Sequence, residues 1–175
     1  DEHGDDLIFP PQLGWHHFDG KRYHFDEGEI GVRRMAENAI IGLYPKVKTI
    51  QNDELRKRLK EHAKASENRT RITNMIYLAQ ADPRVTVSTD ALDADQWLLN
   101  VKNGTVNLQT GAIQPHDRAD RITKICNVSY SFTAGCPLWE ASLTKWTNGD
   151  ADMVDHMARF AGYSATGVIR EHVLP

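Results

Sequence analysis

Nucleotide or hydrolytic chemistry needs acidic side chains that converge, usually on a divalent metal. The sequence offers three groups at short spacing, Asp93/Asp95, Asp117/Asp120 and Asp150/Asp152/Asp155, and each has a local explanation. The first four fall in turn-like segments, where aspartate bonds its own backbone. Asp150 stands where a helix cap is expected, with Asp152 in the positive first turn behind it. Eight histidines raise a metal question. His16 and His17 are adjacent and project to opposite faces of a strand, which prevents chelation by that pair, and His24, His62, His116 and His156 lack ligand spacing. Cys126 and Cys136 are the only cysteines and show no C-x-x-C pattern, so reduced, packed side chains are expected. No catalytic and no metal-binding residue is assigned.

Cationic chemistry is better supported. Lys57, Lys60 and Lys64 share one helix face opposite Leu55 and Leu59, and residues 53–71 hold seven bases against four acids in a chain of net charge −3. A local positive excess in an acidic chain is a candidate phosphate-contacting surface made of Lys57, Lys60, Lys64, Arg69 and Arg71. A solvated helix face explains the same residues. The aromatic ladder of a sequence-tolerant single-strand groove is missing, since Trp139 and Trp146 fall at core-helix spacing.

Length and composition frame these groups. At 175 residues, 40% hydrophobic and 26% charged, the chain suits one main core with or without a small appendage. No apolar run approaches a membrane span, the acidic N-terminus is unlike a signal peptide, and a cytoplasmic location with no membrane contact is expected.

The predicted elements are helices and small hairpins, an α+β fold. Asn103-Gly104 is a strong type I′ turn signal. As the loop it pairs Val101 with Val106 and Leu99 with Leu108, and Thr110-Gly111 then brings Ile113 opposite Leu108 in a three-stranded meander. Asp19-Gly20 marks a second hairpin, pairing Phe18 with Lys21, His17 with Arg22 and His16 with Tyr23. Leu7, Ile8 and Phe9 can dock on the body behind a frayed start.

A core helix is predicted over residues 30–44, with Val32, Met35, Ala36, Ala39, Ile40 and Leu43 inward and Pro45 as its stop. Asn52 caps a second, Asp53 to Ala65, with Leu55, Leu59, His62 and Ala63 on one face. A third, Asn68 to Ala81, buries Ile72, Met75, Ile76 and Ala79. Val85-Thr-Val87 reads as a short strand and Ile122 to Phe132 as an extended one. Pro137 opens a helix carrying Trp139, Leu143 and Trp146. Asp150 caps the last, with Met153, Val154, Met157 and Ala161 inward and Gly162 at its C-terminal cap. Residues 1–45 form an N-terminal hairpin plus helix, and 46–175 the main domain.

Trp97-Leu-Leu-Asn-Val-Lys-Asn-Gly-Thr-Val-Asn-Leu-Gln-Thr-Gly111, then Pro115-His-Asp117, Ile122-Thr-Lys124, Cys136-Pro-Leu-Trp-Glu140, Asp150 and Gly162-Tyr-Ser-Ala-Thr-Gly167 resemble, in order, the domain preceding the helicase in phage and plasmid primases of the poxvirus helicase-primase type. The resemblance implies a non-catalytic region joining primase to a superfamily-three helicase in a phage, prophage or plasmid DNA-replication protein. Such a parent is an ATP-dependent, DNA-binding hydrolase assembled as a homo-oligomeric ring, with primase and helicase domains as partners in the same chain. Helicases of that family carry a G-x-x-x-x-G-K-[ST] phosphate-binding loop shortly after the segment matching Glu171-His-Val-Leu174. The present residues contain no such loop, so ATP and Mg²⁺ are expected in a helicase domain beyond them and no cofactor here. Two rivals are a DNA-binding module built on Asp53–Ala65 and a small independent enzyme using a carboxylate pair.

Overall fold

The computed structural model describes residues 5–169. It is α+β, six α-helices and two antiparallel three-stranded sheets among the described residues, as the sequence predicts. The chain divides into two compact units, Asp1–Leu92 and Asp93–Pro175. Residue 45, where the sequence suggested a boundary, lies inside the first unit.

In the first unit β1 (Leu7–Ile8), β2 (His16–Phe18) and β3 (Tyr23–Phe25) form the sheet. Alternation along the N-terminal segment sorts its side chains. Leu7 and Phe9 pack on a cluster containing Trp15, Val32, Ala36, Ile40, Ile72, Ile76 and Val85, while Ile8 joins Tyr23 and Val87 on another. The apolar start therefore docks as expected. Phe9 and Val85–Val87 exchange backbone hydrogen bonds through a single parallel bridge, Phe9 to Thr86, rather than a regular strand.

The β2–β3 register differs from the expected one by two residues: His16 faces Phe25, His17 His24 and Phe18 Tyr23. The Asp19 carboxylate accepts from the amides of Lys21 (2.8 Å) and Arg22 (2.9 Å), which stabilises a four-residue loop in place of the two-residue Asp-Gly turn.

Helix α1 (Ile30–Ile41) buries Val32, Ala36 and Ile40. Pro45 does not end it. The chain turns at Gly42 and starts α2 (Leu43–Thr49), with Pro45 in its first turn, where a missing N–H costs nothing. Helices α3 (Asp53–Ser66) and α4 (Arg69–Ala79) follow, each capped by an asparagine: Asn52 accepts from the Leu55 amide, Asn68 from that of Thr70. The expected apolar face of α3 is largely uncovered. Ala63 is buried and Leu59 half-buried, but Leu55 and His62 are exposed, because α1 and α2, which pack on α3, cover it fully only at Ala63. On α4, Ile72 and Ile76 are buried as predicted, whereas Met75 is exposed.

In the second unit β4 (Leu98–Val101), β5 (Gly104–Asn107) and β6 (Ile113–Gln114) make the predicted meander. Its register again differs by two, with Val101 facing Gly104, Leu99 Val106, and Ile113 Val106 in place of Leu108. The loop is Lys102-Asn103, and Asn103 is absent from the positive-φ residues, so no type I′ turn forms. Gly104 is needed in the strand instead: its φ is +152°, and a Cβ there would lie 2.4 Å from the Gln114 carbonyl oxygen. Asn103 serves as a clasp. Its amide donates to the Tyr130 carbonyl (2.9 Å), and its oxygen accepts from the Tyr130 amide (2.9 Å). An even shift keeps every side chain on its face, so Val101 and Val106 are buried as the pattern requires.

The segment from Ile122 to Phe132 is not a regular strand. It runs beside β4 through a parallel bridge, Val101 to Cys126, and through Cys126 N–H to the Asn100 carbonyl and Lys102 N–H to that of Val128, both 2.8 Å.

Helix α5 (Pro137–Trp146) begins with its proline and buries Leu143, and α6 (Ala151–Ser164) starts under an Asp150 cap. The inward face expected of each is mostly open. Trp139, Trp146, Met153 and Ala161 are exposed, and Val154 and Met157 only half-buried. Helical spacing had fixed which side chains share a face, but α5 and α6 pack on little beyond each other. Gly162 lies inside α6, whose C-terminal cap is Ala165. Cys126 and Cys136 are free and exposed rather than packed. The segment Glu171–Leu174, matched above to the family, lies outside the described residues.

Candidate nucleic-acid interface

The cationic surface is built by two capped helices. Asp53 and Glu54 occupy the first turn of α3 and Lys64 its last, a charge order favoured by the helix dipole. Those acids hold the arginines: Arg56 pairs with Asp53, and Arg58 with Glu54 at 2.7 Å. A third acid, Glu67, accepts the Tyr44 hydroxyl at 2.5 Å, and that bond is the main cause of the raised pKa of the Tyr44 phenol.

Lys57, Lys60 and Lys64 are exposed and make no ion pair among the described residues. They rise along one face in steps of about 4.5 and 6 Å, at 1.5 Å per residue. Such a row can follow a phosphate backbone as point charges on flexible stems.

Arg69 and Arg71 are exposed as well but do not act as one group. Two residues apart, they project about 200° from each other around α4. Arg71 is the one that α3 and α4 bring to Lys64. With Glu61, Ala65 and Asn68 they line a shallow, open hollow of about 520 Å³. Asn68 supports it by capping α4 at 2.9 Å. The sequence indicated the stripe but not this hollow, which depends on how the two helices pack; the asparagine cap at their junction was its available signal.

The acidic groups are occupied by local structure. Asp93 accepts the Thr123 amide (2.8 Å) and hydroxyl (2.5 Å). Asp95 accepts the Trp97 amide, Asp117 that of Ala119, and Asp150 those of Asp152 and Met153. Asp155 pairs with Arg159. Asp120 accepts from Gln114 at 3.2 Å; burial, with Asp117 and Asp95 nearby, raises its pKa. His16 is buried with Nδ1 3.0 Å from the Gly14 carbonyl oxygen, and His17 faces His24 across the sheet at 5.7 Å between rings. No group of three or more His, Cys, Asp or Glu suited to a metal occurs among the described residues. No helix there is long and apolar enough to cross a membrane.

The fold and this surface define an α+β domain that presents charge on an open helix pair rather than in an enclosed cleft. The chain belongs to the D5 N-terminal-like family, which matches residues 1–148, the N-terminal domains of phage- and poxvirus-type DNA-replication primase-helicases. No curated protein matches the sequence.

Proposed function

We propose that this domain is the non-catalytic link between primase and a superfamily-three helicase in a phage, prophage or plasmid replication protein of the cytoplasm, and that it guides DNA along α3. The row of Lys57, Lys60 and Lys64, exposed and without an ion-pair partner among the described residues, carries this reading. Asp53, Glu54 and Glu67 are turned to Arg56, Arg58 and Tyr44, which leaves Glu61 beside the three lysines and a positive excess along the row for phosphates. Arg69 and the Lys64–Arg71 hollow extend the surface onto α4. In such a parent, working as an assembly of copies, ATP and Mg²⁺ belong to the helicase domain, and this domain contributes position and charge.

Fluorescence anisotropy with single-stranded and forked oligonucleotides tests it. Three phosphate contacts to a single strand give a salt slope near −2, so affinity should fall about 20-fold between 50 and 200 mM salt. Replacing all three lysines by glutamate should abolish binding without loss of helical circular dichroism. Absence of binding at 50 mM salt, or a variant binding like the wild type, overturns the proposal.

A further inference from the structure

The register of the first hairpin brings together two histidines with no ligand spacing in the sequence. His17 of β2 faces His24 of β3, where a two-residue Asp-Gly turn would have set Arg22 against it. The rings lie 5.7 Å apart between centroids and are tilted by 53°, too steep for stacking. Neither makes a hydrogen bond among the described residues, and His17 Nδ1 is enclosed without a partner. His17 is half-buried and His24 exposed, so His17 Nε2 is the nitrogen left open to solvent. His16 differs: it is buried, bonded through Nδ1 to the Gly14 carbonyl, and packed edge to face on Phe25. The fold uses His16 and leaves the other two rings unspent.

Alternation places Asp19 and Asp26 on the same face as the pair, and both are taken. Asp19 accepts the Lys21 and Arg22 amides and lies 3.8 Å from the Arg22 guanidinium, which neutralises the cation nearest the pair. Asp26 holds the Gly31 and Val32 amides. What remains is two imidazoles on adjacent strands with water on one side.

We propose that His17 and His24 together hold one divalent transition-metal ion of the kind imidazole favours, Zn²⁺ being the representative. An ion about 2.0–2.1 Å from one nitrogen of each ring, at a tetrahedral angle, sets the ring centres about 5 Å apart. A small swing of the exposed His24 side chain closes the difference from 5.7 Å. With two protein ligands the other positions of the ion go to water, an open site rather than a closed structural cage. Mg²⁺, which demands oxygen ligands, does not suit it. The ion ties the edge strand β3 to β2, and β3 leads directly into Asp26, the carboxylate that caps α1. At 100 times its dissociation constant, an ion bound by the folded hairpin alone raises the folded-to-unfolded ratio about 100-fold. The proposal is independent of DNA binding.

Calorimetric titration of the chain with Zn²⁺ gives the test, beside His17→Gln, His24→Gln, the double variant and His62→Gln, which removes an exposed histidine from α3. One ion per chain should bind. Each single change in the pair should weaken it at least about tenfold, the lower end of what even outer-shell changes cost at a metal site. The double variant should lose little more than either single one, since one missing ligand already breaks the chelate. His62→Gln should bind like the wild type, and Mg²⁺ should not bind at the pair. Nitrogen-15 spectra of the imidazoles should show Zn²⁺ moving the His17 and His24 resonances together, and amide exchange across β2–β3 should slow. His24→Gln alters an exposed side chain, so its loss of binding is not a loss of fold. No heat with Zn²⁺, affinity unchanged in His24→Gln, or an equal loss in His62→Gln, the mark of an adventitious ion only, would overturn the proposal.

Discussion

Removing the Asp26 carboxylate should damage the first unit more than its modest place in the sequence suggests. Asp26 is 6% exposed. One carboxylate oxygen accepts the Gly31 amide at 2.8 Å, the other that of Val32 at 2.7 Å, so a residue at the end of β3 caps α1 from several positions upstream. Asp26→Ala leaves both amides without that acceptor, Val32 itself being buried. An unmet buried donor costs about 1–3 kcal/mol, and a lost cap costs about 0.5–2. Allowing for partial rescue by water, about 2–4 kcal/mol is expected. At about 4–8 °C per kcal/mol for a domain of this size, the melting temperature should drop roughly 10–25 °C. Urea unfolding followed by circular dichroism should show a lower midpoint with an unchanged slope. Asp26→Asn keeps one acceptor and should cost about half as much. The backbone bond from the Asp26 amide to the Trp15 carbonyl, 2.8 Å, survives both changes. A loss below about 0.5 kcal/mol for Asp26→Ala, the range of neutral surface changes, would refute the capping argument.

Gly104→Ala should cost roughly 2–5 kcal/mol, since the added carbon collides with the Gln114 carbonyl and the backbone angle disfavours a side chain; denaturant unfolding measures it. Asn103→Ala should cost about 1–2 kcal/mol and speed hydrogen exchange at the Tyr130 amide, whose partner it removes. The hydrogen bonds from the Arg84 side chain hold the Asp82 carboxyl down to about 2, so the stabilisation it contributes is present above the ordinary carboxylate range and is lost as pH falls toward 2. Carboxyl-carbon NMR should place its midpoint well below 3.8, and Arg84→Gln should move that midpoint upward.

The faces of the hairpins were legible because alternation survives a two-residue shift; their loops were not. Asp19-Gly20 has the form of a two-residue turn, but Asp19 closes a longer loop with its carboxylate. Asn103 before Gly104 has the form of a left-handed turn residue, but it is spent on Tyr130, 27 positions away, and no short-range rule reports such a partner. Pro45 illustrates the same limit, since a proline stops one helix or opens the next depending on where the previous turn ended. For Trp139 and Trp146, spacing established a shared stripe, whereas burial depends on a neighbour that spacing does not specify. The lysine row was legible because charge needs no partner to be seen. The hollow between Lys64 and Arg71 was hidden because it is a product of α3–α4 packing.

The Asn103 clasp also bears on how the protein ages. An asparagine followed by glycine is chemically vulnerable in a loose chain, because the glycine amide nitrogen can attack the side-chain carbonyl and expel ammonia, giving a cyclic imide that water opens to aspartate or isoaspartate. Here both ends of the Asn103 amide are held by the backbone of one residue, Tyr130, which restrains the rotation that attack requires. Conversion to a carboxylate would replace the donor facing the Tyr130 carbonyl with a second acceptor and open the clasp. Isoaspartate at position 103 would therefore accumulate in step with the time a molecule has spent unfolded, a chemical record of its own conformational history.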